Sequence, residues 1–529
     1  MKKIFTLFSA MLMSIASFAT TYNGTLTVTV NGEVSEQPTS VSIDEVNGNY
    51  KLSINNFMLV AGETPLPVGN IVIDNVSGGV NGTLTTLCAN KQINIAPGNV
   101  EGVAEDEWLG PLLGNVPVEM NARFTAEYVV TDIHINMVEL DQVIDVKFEN
   151  VGTHFQMPNS DFETWSTANN APKNWHGFES VKVKNALFNS AKSNTKLISS
   201  SLIRPGSKGV KSAVVTCSKV VGVIANGTMT NGRLYAGSMK AEDPANHSET
   251  TLSSTDDKDA NGDPFATPMY AKPDSVKFWM RFTQAQAQAS DPLASFNAVI
   301  TDGTYYQDPE NKTYTNKVAV AAPNKADMTV GDWRLVSCPF DYASYAANGA
   351  EAKAILLTVS TNATPGKGSY SNGVADSVYV DDLELVYAAG IKSISFKGQA
   401  LDLATIQTTG IELAADEAVS AADFEVVKEG EDAKVTKLVE ATADGYVAVI
   451  TAVSADLKTQ VAYEINIKKP AAPVLKGDIN GDGVLDVADA SALIDMVLNS
   501  GTCTEVADVN GDGALDVADV TELITLILG

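Results

Sequence analysis

The sequence predicts a mainly β chain, with a β-barrel, a jelly-roll sandwich and a small immunoglobulin-like sandwich in succession, followed by a small α-helical module. Three observations predict it. Apolar and polar residues alternate with period two in short runs from residue 21 to about 469. Gly and Asn turns break that alternation at short intervals, as in antiparallel sandwiches and barrels. Beyond residue 473 the apolar spacing becomes three and four, the spacing of one helix face. A chain of 529 residues is also too long for one core and implies three or four domains.

Residues 1–19, MKKIFTLFSAMLMSIASFA, carry basic Lys2 and Lys3, then an apolar run, then Ala16, Ser17 and Ala19. That order predicts a cleavable signal peptide and a secreted protein in the periplasm, at the cell surface or outside the cell. No later stretch reaches the roughly 20 continuous apolar residues of a helical membrane span. No cysteine follows the cleavage site, which argues against a lipid anchor.

Residues 20–150 alternate cleanly, with Leu26, Val28 and Val30 in one strand, Tyr50, Leu52 and Ile54 in another, and Ile144, Val146 and Phe148 in a third. Residues 157–388 open with NSDFETW and PKNWHGF, continue with SVKFWMRF and DWRLVSCPFDY, and close with DSVYVDDLELVY. Their length and turn-rich insertions suit a jelly-roll. Residues 390–469 hold shorter strands and predict an immunoglobulin-like spacer. The Pro-rich stretch within 470–476 is a stiff linker, and 477–529 form the helical module.

The net charge of −28 argues against nucleic acid or an anionic membrane as partner, since both reward basic patches. It favours cations. Residues 476–529 hold nine Asp, two Glu and one Lys, about a third of that net charge in a tenth of the chain. The four cysteines, Cys88, Cys217, Cys338 and Cys503, are too scattered for a disulfide framework or a metal knot, and only Cys217 and Cys338 share a domain. Cys88 reads as a buried free thiol.

The acids of the last segment fall into two copies, DINGDGVLDVADASALIDMVL at 478–498 and DVNGDGALDVADVTELITLIL at 508–528, identical at 13 of 21 positions. Calcium takes roughly six to eight oxygens, and a 12-residue EF-type loop supplies them from positions 1, 3, 5, 7, 9 and 12. The side chains at positions 1, 3, 5, 9 and 12 are Asp478, Asn480, Asp482, Asp486 and Asp489, then Asp508, Asn510, Asp512, Asp516 and Asp519. Position 7 gives a backbone carbonyl, from Val484 and Ala514, and Gly483 and Gly513 stand at the sharp turn of position 6. Each loop runs into an apolar stripe, Val487, Ala490, Leu493, Ile494 and Val497 in the first copy and Val517, Val520, Leu523, Ile524 and Ile527 in the second. Nothing before either loop reads as the first helix of a full EF-hand.

Duplicated loop-plus-helix units at this offset resemble a type I dockerin. The resemblance implies two bound Ca2+ ions and a cohesin-like protein partner, recognised through loop positions 10 and 11. Those positions are Val487 with Ala488 and Val517 with Ala518, apolar where well-known dockerins carry Ser or Thr. TYNGTLTVTVNG and INNFMLVAGETPLPVGNIVIDNV make the first domain resemble the calycin-like β-barrels of secreted gut-bacterial proteins. The DFETW opening and the VDD closing strand resemble the carbohydrate metabolism domain family, similar to carbohydrate-binding jelly-rolls. That resemblance implies a polysaccharide or other glycan as ligand, and one structural calcium near Glu163 and Asp382.

Sugars stack on exposed aromatic faces. Tyr305 and Tyr306, in the insertion TDGTYYQDPENKTY, and Trp175, beside the opening strand, are the candidates; Trp165, Trp279 and Trp333 read as core. No pair of carboxylates stands out for glycoside hydrolysis, and the histidines at 134, 154, 176 and 247 form no triad or metal motif. The expectation is a non-catalytic glycan-binding protein that docks through its end. The alternatives are a glycoside hydrolase on the jelly-roll and a barrel carrying small apolar ligands.

Overall fold

The computed structural model describes residues 19–60, 65–138, 141–190, 196–220, 222–254, 256–470 and 475–529. All but the last residue of the expected signal peptide, and most of the linker, lie outside them. Two compact units are present. One holds a barrel, a central sandwich and most of the third segment; the other holds the rest of that segment and the C-terminal module.

Nine antiparallel strands form the first sheet: β1 (Thr20–Val30), β2 (Glu33–Val46), β3 (Asn49–Leu59), β4 (Leu66–Val76), β5 (Gly78–Asn81), β6 (Leu84–Asn94), β7 (Asn115–Phe124), β8 (Val129–Met137) and β9 (Gln142–Glu149). Their order is β4–β3–β2–β1–β9–β8–β7–β6–β5, and a bridge from Asn70 to Ala96 brings the open side of this barrel nearly shut. Local chemistry sets the register. Asn31 and Gly32, both at positive φ, make the two-residue turn that pairs Val30 with Glu33. Every second side chain then points inward, so Leu26, Val28, Ile43, Leu52, Ile54 and Phe148 fill the interior. That filling speaks against the apolar-carrier alternative, which needs an open lumen. Cys88 lies on the outward face of β6 and is exposed, correcting the buried-thiol expectation; the alternation turns its neighbour Leu87 inward instead. All four cysteines are free thiols.

The central segment is a two-layer sandwich. One sheet runs in the order Lys196–Ser200, Ser212–Thr216, Ser377–Val386, Ser275–Thr283, Gly331–Pro339. The facing sheet runs Thr228–Thr230, Ala354–Ser360, Ser295–Thr301, Lys317–Ala321. Phe278 of the first sheet stacks on Phe296 of the second, ring centroids 4.2 Å apart, at the middle of the shared core. In SVKFWMRF the inward residues are Val276, Phe278, Met280 and Phe282, so Trp279 faces outward, where the Arg204 guanidinium lies 5.1 Å from its ring. Trp279 is therefore not a core residue and Trp333 is only partly buried, whereas Trp165, also partly buried, packs against the core.

The third segment holds a three-stranded and a four-stranded sheet. It is more than a spacer. Buried Arg123 of the barrel donates to the carbonyls of Leu457 and Lys458 and pairs with Asp132 at 2.6 Å. Leu84, Val130, Val151, Val453 and Leu457 form one apolar cluster across the same contact. On the sandwich side, Asp274 accepts the amides of Glu431 and Ala388. Among the described residues no helix is long and apolar enough to cross a membrane.

Candidate functional site

In the C-terminal module each acidic loop leads into a helix, Val487–Leu498 in the first copy and Val517–Leu528 in the second. Asp486 and Asp516 are the N-caps, each accepting the amide two residues on, from Ala488 and Ala518, at 2.7 Å. Ala490, Leu493, Val520 and Leu523 meet Ala507 and Val509 in one core, and Leu485 and Leu515 pack at its edge. Neither copy closes a core by itself. Gly477 belongs to the same lock: its φ is +93°, and a Cβ there would lie 2.5 Å from a Leu523 methyl.

The loops are built for a cation. Asp478, Asp482 and Asp489 bring a carboxylate oxygen each within 4.8 Å of one another. Gly481, Asp482 and Gly483 donate their amides to Asp478, which folds the loop around it. Asp489 is wholly buried and accepts from the amides of Ile479, Asn480 and Asp486, tying loop to helix. Burial works against its ionisation, but these amides outweigh it and hold its pKa below the usual carboxylate range. In the second loop Asp519 accepts from Asn510 and Asp516, and Asp508 accepts from Gly513. The other Asp508 oxygen, Oδ1, is buried with no protein partner, an acceptor that a bound cation would satisfy. Gly483 and Gly513 hold φ of +84° and +81°. The residues fit Ca2+, with Asn480, Asn510 and the carbonyls of Val484 and Ala514 completing the two donor sets.

The stripes divide in a way their periodicity did not foretell. Leu493 and Leu523 are fully buried, but Val487, Ile494, Val517 and Ile524 are exposed, and Ala488 and Ala518 lie beside them on the surface. All four residues expected at the partner face are thus available to a partner.

The calcium expected near Glu163 and Asp382 finds other chemistry. Glu163 accepts the amides of Val210 and Lys211 at 2.9 Å each, and Gly209 is needed there because a Cβ would meet the carboxylate at 2.1 Å. Asp382 holds the Arg204 guanidinium, which already supplies the positive charge. No cluster of three carboxylates appears at this place among the described residues. The neighbouring Asp381 pairs with outward-facing Trp279 and accepts the Arg204 amide, and there it is fully buried with Oδ1 unpaired. Burial pushes its pKa up to about 6, with the Arg204 amide opposing.

The expected sugar platform needs correcting too. Trp175 and Tyr306 are each 1 % exposed, so neither can offer a ring face. The Trp175 indole donates to the Asn159 carbonyl and the Tyr306 hydroxyl to Glu310, which makes both comfortable inside. Tyr305 is exposed, but its hydroxyl donates to Glu249, itself paired with His247. Burial works against ionisation of Glu249, yet these hydrogen bonds hold its pKa low.

What the sandwich does offer is a cleft of about 530 Å³. Its floor is the outer face of the sheet whose inner face is the core: Ser295 and Asn297 alternate with Phe296 and Ala298, and Thr358 and Ser360 alternate with Leu357 and Val359. Asn297 lies opposite Thr358, and Ser295 opposite Ser360. The walls come from Phe178, Phe188, Ile224, Leu234 and Tyr235, with Asp308 at the side. Asn246 and Asn226 are consumed in pinning the rim, through bonds to Ser238 and Lys240 and to Asn362. Thr358 Oγ1 is buried without a protein partner. Burial raises the pKa of Asp308 against an opposing hydrogen bond from Asn297. Spacing could not reveal this cleft, because its floor and walls come from segments up to 182 residues apart (178 and 360).

Comparison with known proteins matches the ends of the chain. The model of the calycin-like beta-barrel domain matches residues 18–151, and that of the dockerin type I domain matches residues 476–528. The chain thus carries a calycin-like barrel domain on its N-terminal side and a type I dockerin on its C-terminal side. Among solved structures, the N-terminal CBM22-1–CBM22-2 tandem domain of Paenibacillus barcinonensis Xyn10C is similar at 11% identity, over 70% of this chain and 97% of that one, with a TM-score of 0.19. The M60 catalytic domain with CBM51-1 and CBM51-2 of Clostridium perfringens ZmpB is similar at 11% identity, over 85% of this chain and 40% of that one, with a TM-score of 0.14. Superpositions this loose carry no argument about function. No curated protein matches the chain.

Two outcomes are expected. A fragment of residues 475–529 should gain helix on calcium addition and lose it with a chelator, because carboxylates held this close repel without a cation. Asp478→Ala with Asp508→Ala should flatten that response in far-ultraviolet circular dichroism. Separately, Asp381 holds its proton in the folded protein between its ordinary 3.8 and about 6, so stability falls as pH rises through that window. Asp381→Asn should therefore stabilise the full chain at pH 8 by up to ~3 kcal/mol and have no effect below about pH 4, as read by urea unfolding at the two pH values.

Proposed function

We propose that this is a secreted, non-catalytic glycan-binding protein, held by its dockerin to a cohesin-type partner and binding saccharide in the cleft of the central sandwich. The observation that carries the binding half is the cleft itself: a preformed concavity with apolar walls and a few polar groups along one side, the usual form of a small-ligand site. The docking half rests on the type I dockerin match and on the exposed apolar residues of its two helices. A secreted location accords with both, since docking modules of this type sit on extracellular assemblies.

Glycan binding is tested by affinity electrophoresis of the full chain on a polysaccharide panel. Ser295→Trp, which fills the cleft from its floor, should abolish retention while shifting the melting temperature little. Tyr305→Ala, outside the cleft lining, should leave retention nearly unchanged. Undiminished retention of Ser295→Trp would remove the cleft from the site.

Docking is tested by calorimetry against a cohesin recovered from the producing cells. Val487 with Ala488 and Val517 with Ala518 present the same pair twice, so the module can dock in two orientations related by a half-turn. Ala488→Asp alone should cost about 0.4 kcal/mol, the loss of one of two equivalent modes. Ala488→Asp with Ala518→Asp should abolish binding. If the single charge abolishes it, one face alone does the docking.

A further inference from the structure

Resting on the glycan reading above, we infer that the cleft selects an uncharged sugar unit and excludes sugars bearing carboxylate or sulfate. Among the described residues the lining contains no lysine or arginine, and it does contain the carboxylates of Glu242 and Asp308. His247, the other ionisable group of the lining that could turn cationic, is already committed: its Nδ1 faces the Pro244 carbonyl at 2.9 Å, and its Nε2 faces Glu249 at 3.2 Å. Of the two cations that follow Asp308 in sequence, Lys312 lies over the Tyr314 ring, 5.1 Å from its centroid, and Lys317 is held by Glu310 at 2.6 Å. An anionic substituent would therefore enter beside Asp308 with no counter-charge from the described lining.

The same surface suits a neutral ring. Asp308 accepts hydrogen bonds from sugar hydroxyls and offers a strong, charge-assisted acceptor for them. The partnerless Thr358 hydroxyl lies in the same lining and can exchange a hydrogen bond with a further ring oxygen. Ile224 and Leu234 give the ring C–H groups an apolar surface. Among its described residues the site is thus rich in acceptors and apolar area and has no lysine or arginine donor, the opposite of what a uronate or a sulfate ester requires.

The test compares neutral polysaccharides with the same polymers oxidised at C6 to the uronate, so that linkage is constant and only charge changes. The full chain should be retained by at least one neutral polymer and at least tenfold more weakly by its oxidised counterpart. Asp308→Asn should bring that ratio below threefold, whatever it does to neutral retention. Equal or stronger retention by the oxidised polymer in the unmodified protein would overturn the charge selection and leave glycan binding standing. So would a ratio unchanged by Asp308→Asn in a variant that melts normally. Should that variant fail to fold, the ratio in the unmodified protein decides. Retention by no polymer of either kind would overturn both readings.

Discussion

A β-strand has two faces, and what this protein does with the second follows from how it spends the first. In the strand Ser295–Thr301, Phe296, Ala298 and Ile300 close the core against Phe278 and its neighbours. Period two then obliges Ser295 and Asn297 to look the other way. The facing strand Ala354–Ser360 obeys the same rule, burying Leu357 and Val359 and turning Thr358 and Ser360 outward. The cleft floor is therefore as rigid as the core beneath it, because moving one side chain of the floor means moving its neighbour in the interior. The barrel spends its strands differently: its inward face is filled, and its outward face meets solvent and the third segment.

The parts legible in the sequence are those encoded by short-range spacing. Alternation in TLTVTV and the Asn31–Gly32 turn are local, and the barrel follows from them. The calcium loops are more local still, since twelve consecutive residues supply the whole donor set. What period two leaves open is which face is which. SVKFWMRF can bury either set, and the structure chose Phe278 over Trp279. Tyr305 and Tyr306 differ by one position, and that step separates an exposed ring from a buried one. The bulge that sets Asp382 and Leu383 against Phe278 breaks the alternation outright. The cleft is beyond reach for another reason: strands distant in sequence assemble its floor, and a single chain does not show which of them are neighbours.

The two functional regions treat negative charge in contrasting ways. In the dockerin, carboxylates are crowded, and the amides that wrap Asp489 hold its pKa below the usual range, a negative cage that favours a divalent ion. In the cleft, Asp308 stands alone as a carboxylate beside Asn297, and burial raises its pKa against that hydrogen bond.

The lock at Gly477 bears on how the module carries tension. The Gly477 amide donates to the Val506 carbonyl, and its backbone lies against Leu523 near the far end of the chain. A pull entering at this point and resisted by a partner on the helices is met first by the shared core, before the first loop can unravel. The loop that holds the ion is thereby shielded from force by side chains of the opposite copy.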